Sequence, residues 1–202
     1  MDVGAFFNND GVVRNLSGAS ADLVISGEDI GLTIANRGLA VGTMQLGRFD
    51  DSLDNSGTWD TAGGVNDFGD GVNAVVNSGT ILASAAGASA PVTTFFNRVG
   101  TFTHSGLLQM QNGVTGDQTV IDGNYAGNGG LITFDTVLGD DASSTDLLII
   151  NGDTSGSSFV RVVNVGGTGA LTVEGIKIID VGGASNGAFV LAEGEDIIDG
   201  EL

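Results

Sequence analysis

A single histidine limits the acid–base chemistry open to this chain of 202 residues. His104 would be the base of any Ser-His-Asp triad, and Gly183-Ala-Ser185-Asn-Gly187 matches the Gly-x-Ser-x-Gly pattern of a nucleophile elbow. That elbow needs a strand before it, a helix after it and a histidine later in the chain. No histidine follows Ser185, and no helical periodicity is visible there. We therefore expect this segment to be a turn between strands.

Two pairs of adjacent aspartates are the next candidates. Asp50-Asp51 and Asp140-Asp141 are of the residue type that β-helix hydrolases use as acid and base on polysaccharides. Such enzymes also need positive groups to hold acidic sugars, and only 6 Lys and Arg residues are scattered along the chain. Asp140-Asp141 stands in a Gly-Asp-Asp-Ala-Ser-Ser-Thr stretch, which favours a solvated turn. We predict no catalytic residues and no enzyme activity.

Calcium is the metal that an acidic, glycine-rich β chain could bind. The RTX β-roll repeats Gly-Gly-x-Gly-x-Asp, and the closest stretch, Gly63-Gly64-Val65-Asn66-Asp67, departs from that pattern and occurs once. EF-hand spacing is absent. A phosphate loop is excluded because no Gly-Lys-Ser/Thr occurs and Lys177 is the only lysine. We predict neither a metal nor a cofactor.

Charge and composition exclude several partners. The formal net charge is −19, so nucleic acid and anionic membrane surfaces would repel the chain. Hydrophobic residues make up 41% of the sequence, which is too many for a disordered acidic tail, and cysteine is absent. The longest aliphatic stretch, Leu147 to Ile150, is far too short to cross a bilayer. We expect no nucleic acid partner and no direct membrane insertion of this segment.

The elements that must position these side chains are predicted to be strands. Val, Ile and Thr recur in short runs, and no segment keeps a 3.6-residue apolar period over three turns. Asn-Gly and Gly-Gly dipeptides separate the runs and should supply the positive φ of tight turns. The chain is therefore predicted to be all-β, with strands near Asp22–Ser26, Gly31–Ala35, Val72–Val76, Thr80–Ser84, Val92–Phe96, Gly106–Gln111, Leu131–Val137, Leu147–Ile150, Phe159–Val163, Ile176–Val181 and Ala188–Leu191.

A recurring triplet predicts how the strands are arranged. Asn-x-Gly followed by a β-former begins at Asn36, Asn55 and Asn77, and His104-Ser-Gly occupies the fourth place. Spacings of 19, 22 and 27 residues suit the coils of a parallel β-helix that turn at one corner. Asn and Gly tolerate the turn conformation there, and stacked Asn side chains can hydrogen-bond along the axis. His104 is therefore predicted to be a corner residue.

The same repeat predicts the number of coils and the place of the loops. About 22 residues per coil gives roughly nine coils, or fewer if the far end is built differently. Ala62–Gly71 and Ala85–Pro91 are small, polar or glycine-rich, so we expect both to bulge outward at another corner. Phe6-Phe7 and Phe95-Phe96 could form an exposed contact patch, but stacking inside the helix is the stronger expectation.

Two short polar segments are expected to carry no function. The Asn15-Leu-Ser17 sequon would be incidental if the host is bacterial. The acidic end is most simply solvated; it contains Glu193, Glu195, Asp196, Asp199 and Glu201.

The second half of the chain resembles a known family by the order of its elements. A Gly-Asn-Tyr strand at Gly123 is followed by Gly-Gly-Leu, by Asp146-Leu-Leu-Ile-Ile-Asn-Gly, by a Gly-rich turn, by Glu174-Gly-Ile and by Phe189-Val-Leu. This order is similar to the C-terminal part of pertactin-like autotransporter passengers, which are exported by type V secretion. The match covers roughly Asp117–Ala192.

The resemblance implies a fold and a domain division. The fold would be a right-handed, single-stranded parallel β-helix with a C-terminal autochaperone-like cap. Residues 1–116 would be passenger coils, residues 117–192 the autochaperone-like region, and residues 193–202 an acidic end before the translocator barrel. The resemblance predicts that the barrel has been removed after Leu202 and that further coils lie upstream of Met1.

The resemblance also implies a function and a location. The segment would be extracellular at the bacterial surface, carried across the outer membrane by its own C-terminal translocator β-barrel, with its C-terminal part nucleating the folding of the coils. Three functional classes stay open. They are adhesion to a host cell surface or extracellular matrix protein, a purely structural stalk for an upstream head, and, least favoured, a β-helix enzyme that degrades polysaccharide.

Overall fold

Parallel strand pairing between successive coils builds the whole structure. The computed structural model describes residues 4–192, and within that range the named elements of secondary structure are all strands. The acidic end, from Glu193 onward, and the first three residues lie outside the described residues. Every pair of named strands is parallel, and the stack makes about seven turns of a β-solenoid. The all-β prediction and the predicted parallel β-helix are confirmed.

Twenty strands follow one another along the described chain. In order they are β1 (Ala5–Asn9), β2 (Val12–Arg14), β3 (Leu23–Gly27), β4 (Leu32–Asn36), β5 (Leu39–Val41), β6 (Thr43–Leu46), β7 (Ser52–Asn55), β8 (Thr58–Asp60), β9 (Val65–Asp67), β10 (Ala74–Asn77), β11 (Thr80–Leu82), β12 (Thr93–Asn97), β13 (Thr101–His104), β14 (Leu107–Gln109), β15 (Gln118–Ile121), β16 (Asn124–Thr136), β17 (Leu147–Ile150), β18 (Thr154–Asn164), β19 (Ile179–Val181) and β20 (Ala188–Leu191).

The strands form three faces, and each coil contributes one strand to each face. The first face stacks β1, β4, β7, β10 and β13, the second stacks β2, β5, β8, β11 and β14, and the third stacks β3, β6, β9, β12, β15, β17 and β19. The long strands β16 and β18 run from the first face into the second without a break. The right-handed winding that the resemblance implies agrees with the preference of parallel crossover connections in nearly all proteins.

Side chains that point inward repeat at the same register in successive coils. Ile34, Leu53, Val75, Phe102 and Tyr125 lie opposite one another along the first face, and each is at most 1% exposed. Strand alternation sends every second residue outward, so one column of apolar residues per face fills the interior. The core is therefore a stack of layers, each contributed by one coil.

The corner after the first face requires glycine because the coils approach closely. Gly38, Gly57, Gly79 and Gly106 have no positive φ. A Cβ on Gly79 would lie 2.1 Å from the carbonyl oxygen of Gly57 in the coil below, and the other three are as crowded. Glycine at this corner is thus required by the close approach of the coils and not by a positive φ. Positive φ occurs, as predicted, in the Gly-Gly and Asn-Gly turns at Gly63 and Gly113.

The predicted loops and coil number were partly wrong. Ala62–Gly71 contains β9, a strand of the third face, and Phe68 beside it is fully buried, so this segment is no outward insertion. Ala85–Pro91 is a loop between β11 and β12, away from the Asn corner, as predicted. The coils number about seven instead of nine because their lengths range up to 31 residues, as between Ser157 and Ala188.

Each predicted strand overlaps an observed one, but nine strands were missed. They are short or built from polar residues: β1, β2, β5, β6, β7, β8, β9, β13 and β15.

The coils also stack across Asp117 without interruption, since β15 pairs with β12 and β16 with β13. The domain division at residue 117 stays a prediction.

Replacing Gly79 by Ala should destabilise the solenoid, because the new methyl group collides with backbone that cannot move independently. We expect Gly79→Ala to lower the free energy of unfolding by about 1–3 kcal/mol. Gly11→Ala is the matched control, since a Cβ there meets nothing within 4 Å and its φ is not positive. Urea unfolding followed by circular dichroism measures both variants. Equal stability of the two would contradict the close-approach explanation.

Candidate functional site: the asparagine ladder and the C-terminal coils

A ladder of buried asparagines runs along the corner between the first and second faces. Asn9, Asn36, Asn55 and Asn77 end consecutive strands of the first face and are at most 7% exposed. The Nδ2 of each of the first three donates to the Oδ1 of the next asparagine at 2.7 Å. The second hydrogen of each Nδ2 reaches a backbone carbonyl in the next coil at 2.9–3.2 Å. The amide groups therefore satisfy one another from coil to coil, as the repeat predicted.

His104 is the last rung of the ladder. Its Nδ1 lies 3.2 Å from Asn77 Nδ2, and its Nε2 lies 3.1 Å from the carbonyl oxygen of Leu131. These partners require a neutral ring with the proton on Nε2, and burial lowers the pKa of His104. Gly127 follows in register and has no side chain to continue the ladder. The prediction that His104 is a corner residue is confirmed.

The ring of His104 needs more room than an asparagine, and the next coil provides it. Gly130 lies against the ring, since a Cβ on Gly130 would come within 2.3 Å of His104 Cδ2. The register of β16 against β18 shifts between Asn128 and Leu131, at the same place. The one extra residue of this bulge lengthens the path from the corner to Leu131, and the imidazole, which is longer than an asparagine side chain, spans it.

Aromatic rings form a column in the core from the third coil onward. Trp59, Phe96, Phe102, Tyr125 and Phe189 are its members, with ring centroids 5.3–6.2 Å apart. Of these, Phe102 and Tyr125 take the first-face register that aliphatic residues hold in the earlier coils. Aromatic side chains bury more area per residue than aliphatic ones do, so these two positions bury more apolar area than their equivalents.

Tyr125 adds a polar contact to this column. Its hydroxyl group lies 2.7 Å from Ser158 Oγ on β18, and burial raises the pKa of the phenol. Tyr125 therefore links β16 to β18 by its side chain as well as by its backbone.

Ser185 and His104 do not form an accessible catalytic pair. Ser185 is exposed and forms an isolated bridge with Thr154, outside the named strands. The described residues after it form the strand β20, not the helix that a nucleophile elbow needs. Both ring nitrogens of the buried His104 are engaged. This supports the turn interpretation of the segment, and the absence of enzyme activity stays a prediction.

The two aspartate pairs bind backbone amides. Asp50 Oδ1 accepts from Val72 N at 2.8 Å, and the buried Asp51 accepts from Leu32 N at 2.6 Å. Burial raises the pKa of Asp51. These residues therefore tie neighbouring coils together.

Asp141 anchors an exposed loop in the C-terminal region. Its carboxylate accepts the backbone N–H groups of Val173, Glu174 and Gly175 at 2.7–3.1 Å. These donors lower the pKa of Asp141. Asp140 and Asp141 are exposed, as the solvated-turn prediction requires, but the anchoring role of Asp141 was missed.

The candidate calcium stretch and the phenylalanine pairs have structural places. Asn66 is buried and accepts from Met44 N at 3.1 Å. Among residues 4–192, no group of three or more His, Cys, Asp or Glu could hold a metal ion.

Phe7 packs against the core and Phe96 is fully buried, as expected, but Phe6 is 78% exposed because alternation turns it outward. Phe95, also in β12, is half-buried.

Other local features are consistent with structural roles. Asn15 and Ser17 hydrogen-bond to each other and to nearby backbone in an exposed turn. In the part of the chain that the structure describes, no helix has the length and apolarity to span a membrane.

Three buried aspartates were not identified from the sequence. Asp117, Asp135 and Asp146 are 0% exposed and lie in the C-terminal coils. The sequence contains only a weak indication that these aspartates are buried. Asp135 interrupts the apolar run of β16, and Asp146 directly precedes the aliphatic strand β17.

Comparison with known proteins identifies related segments. A family model described as Autochaperone Domain Type 1 matches residues 90–200. The chain is similar to the adhesin BmaC autotransporter of Brucella suis, with 52% identity over 49% of this chain and 3% of that protein. It is also similar to the autotransporter adhesin AIDA-I of Escherichia coli, with 43% identity over 36% of this chain and 6% of that protein. The chain thus spans a small fraction of the length of these relatives.

Interrupting the asparagine ladder should lower the free energy of unfolding by more than the contribution of one hydrogen bond. In Asn55→Leu, the side chains of Asn36 and Asn77 each lose a partner inside the core. We expect a loss of about 2–4 kcal/mol in the free energy of unfolding.

Asp54→Leu is the control for the ladder experiment. It introduces the same side chain one residue earlier on the exposed side of β7 and should change stability by less than about 0.5 kcal/mol. Denaturant unfolding measures both variants. If Asn55→Leu were as stable as Asp54→Leu, the ladder would not contribute to stability.

Proposed function

This chain belongs to the autochaperone domain type 1 family of autotransporter passengers, and from that premise we propose that its C-terminal coils fold first and template the earlier coils. The observation that carries the proposal is the unequal construction of the solenoid. The C-terminal coils hold Tyr125 and Phe189, the last members of the aromatic column, and the two long strands, β16 of 13 residues and β18 of 11 residues. The earlier strands have three to five residues.

The long strands support early folding of the C-terminal coils. β16 and β18 pair from Tyr125 with Thr154 to Thr136 with Asn164, around a corner of the solenoid. Forming one coil alone leaves unpaired edges and little core, so nucleation is unfavourable and later stacking is favourable. A pair of coils with extended pairing and large buried rings offsets the nucleation cost better than coils of short strands.

The first coil provides the surface on which a preceding coil could stack. β1, β2 and β3 are the end strands of their sheets and pair on one side only among the described residues. Their free edges present backbone N–H and C=O groups in the parallel register that the next coil needs. In this proposal, growth proceeds from the C-terminal coils towards the N-terminus as the chain emerges from the cell.

We also propose a surface-displayed, adhesive role for the passenger that contains this chain. Support comes from the two relatives named adhesins and from an exposed apolar patch on β18 and β20. Phe159 is 45% exposed, Val190 is 51% exposed, and the two are paired in register. Contiguous exposed apolar side chains often mark interaction sites. The proposed partner is a host cell surface or extracellular matrix protein, and a C-terminal translocator barrel would carry the passenger outward.

A structural stalk is the alternative to a direct adhesive role. The regular coils form a long rigid body, and adhesive contacts could lie elsewhere in a protein of which this chain is a small part. No enzyme activity is proposed, because both nitrogens of the only histidine are engaged in the ladder.

Matched substitutions in the third coil and in the C-terminal coils test the order of folding. Leu148→Ala and Leu53→Ala remove the same group from sites that are 0% and 1% exposed, and each should cost about 2–5 kcal/mol. If the C-terminal coils form first, Leu148→Ala slows refolding with a φ-value near 1. Leu53→Ala instead speeds unfolding with a φ-value near 0. Stopped-flow fluorescence of Trp59 measures both. The reverse pattern would reject C-terminal nucleation.

Binding of the labelled chain to mammalian cells and immobilised matrix proteins tests the adhesive role. We expect saturable binding in the micromolar range, at about −8 kcal/mol. Phe159→Ser should weaken binding, whereas Phe6→Ser makes the same change at the opposite end of the solenoid and should leave it unchanged. Absence of saturable binding by the folded chain would favour the stalk.

A further inference from the structure

The Asn-Gly dipeptides of the chain contain a pair of groups that can react with each other. They begin at Asn112, Asn128, Asn151 and Asn186. Because glycine has no Cβ, its backbone nitrogen can approach the side-chain amide carbon of the preceding asparagine with little steric hindrance. Attack of this nitrogen on the amide carbon expels ammonia. The reaction needs an asparagine side chain that can turn and a glycine N–H that no hydrogen bond holds, so the fold selects among the four dipeptides.

Three of the four dipeptides have a glycine N–H that is engaged in a hydrogen bond between coils. The donors and acceptors are Gly113 N to Asp135 Oδ2, Gly152 N to Gly123 O at 3.0 Å, and Gly187 N to Thr154 Oγ1 at 3.0 Å. Attack by these nitrogens first requires the hydrogen bond to break, and such local opening of a folded structure is unfavourable. These three dipeptides are therefore protected.

Asn128 and Gly129 lack this protection. Both residues are exposed, and no hydrogen bond within residues 4–192 holds the side chain of Asn128. The pairing of β16 with β18 passes over Gly129, because the register jumps from Asn128 to Leu131. Gly129 has a φ of 81°, and a Cβ built on it would meet no atom within 4 Å. The side chain of Asn128 therefore has room to fold onto the peptide unit that follows it.

We propose that Asn128 is a site of spontaneous modification in the folded chain, with the backbone nitrogen of Gly129 as the nucleophile and water as the co-reactant. The Gly129 nitrogen forms a bond to Asn128 Cγ, the bond from Cγ to Nδ2 breaks, and Nδ2 leaves as ammonia with the proton of the Gly129 N–H. Water then opens the cyclic imide. Cleavage between the nitrogen and Cγ gives aspartate, and cleavage between the nitrogen and the main-chain carbonyl carbon gives isoaspartate.

The modification changes the C-terminal coils at the end of the asparagine ladder. Both products add a negative charge at the bulge of β16, and isoaspartate also lengthens the backbone by a carbon atom. Gly130, the next residue of the bulge, lies against His104, and Asn128 is paired with Ser157 of β18. A longer backbone at this point shifts Gly130 against His104 and alters the register of β16 with β18. The modified chain should therefore be less stable than the fresh one.

Mass spectrometry of the folded chain, stored at mildly alkaline pH and physiological temperature, tests the proposal. Fragmentation by electron transfer distinguishes isoaspartate from aspartate and reports each of the four sites separately. We expect Asn128 to deamidate about tenfold faster than Asn112, Asn151 and Asn186, which is the protection that one hydrogen bond supplies. Isoaspartate must be among the products, since direct hydrolysis of the amide yields aspartate alone.

The same chain unfolded in urea is the control for effects of the neighbouring sequence. All four dipeptides are unprotected there and should react at similar rates. If Asn128 kept its lead in urea, the selectivity would come from the sequence and the proposal would be overturned. A folded chain in which Asn128 reacts no faster than the other three would overturn it as well.

The variant Thr154→Val tests the protecting hydrogen bond at a second site. It removes the Oγ1 that accepts from Gly187 N and keeps the shape of a side chain that is 1% exposed. Asn186 is itself exposed, so its deamidation should rise about tenfold in the folded variant, while that of Asn128 stays the same. An unchanged rate at Asn186, in a variant with the parent's circular dichroism spectrum, would show that glycine N–H protection does not select the site.

Discussion

The spacing between coils at the first corner is the constraint on which the structure depends. Strands of neighbouring coils lie about 4.8 Å apart, and at this corner the backbones come close enough that Gly79 has no room for a Cβ above Gly57. An asparagine amide carries a donor and an acceptor, so stacked copies can pair at this spacing, as Asn36 and Asn55 do at 2.7 Å. Glycine permits the close approach, and asparagine satisfies the polar groups that it buries.

Different interactions connect successive coils along the axis of the solenoid. Asn9 to Asn77 hold the earlier coils together by hydrogen bonds, and the ladder ends at His104, whose ring bonds to the backbone of Leu131. Beyond that point the rings of Tyr125 and Phe189 and the unbroken strands β16 and β18 continue the stack. A solenoid in which each coil contacts only its neighbours folds by nucleation and growth, so unequal coils give the process a direction.

Sequence analysis predicted the features that recur from coil to coil and missed those that occur once or depend on distant segments. Asn36, Asn55, Asn77 and His104 were recognisable because one interaction recurs at each coil, and the ladder was predicted from their spacing. Strand β9 was missed because its three residues, Val65 to Asp67, have little β propensity as a group. They are held extended by pairing with β6 and β12. The buried cluster around Asp146 depends on three segments meeting in space, which no local pattern records.

Pulsed hydrogen exchange during refolding tests the central claim of directional folding most directly, because it reports when each strand becomes hydrogen-bonded. The chain is diluted from denaturant, labelled for milliseconds at successive times, quenched and analysed by mass spectrometry. We predict that peptides covering β16, β17 and β18 are protected first and those covering β1 to β4 last. Simultaneous protection of all coils, or earlier protection of the N-terminal ones, would contradict folding that starts from the C-terminal coils.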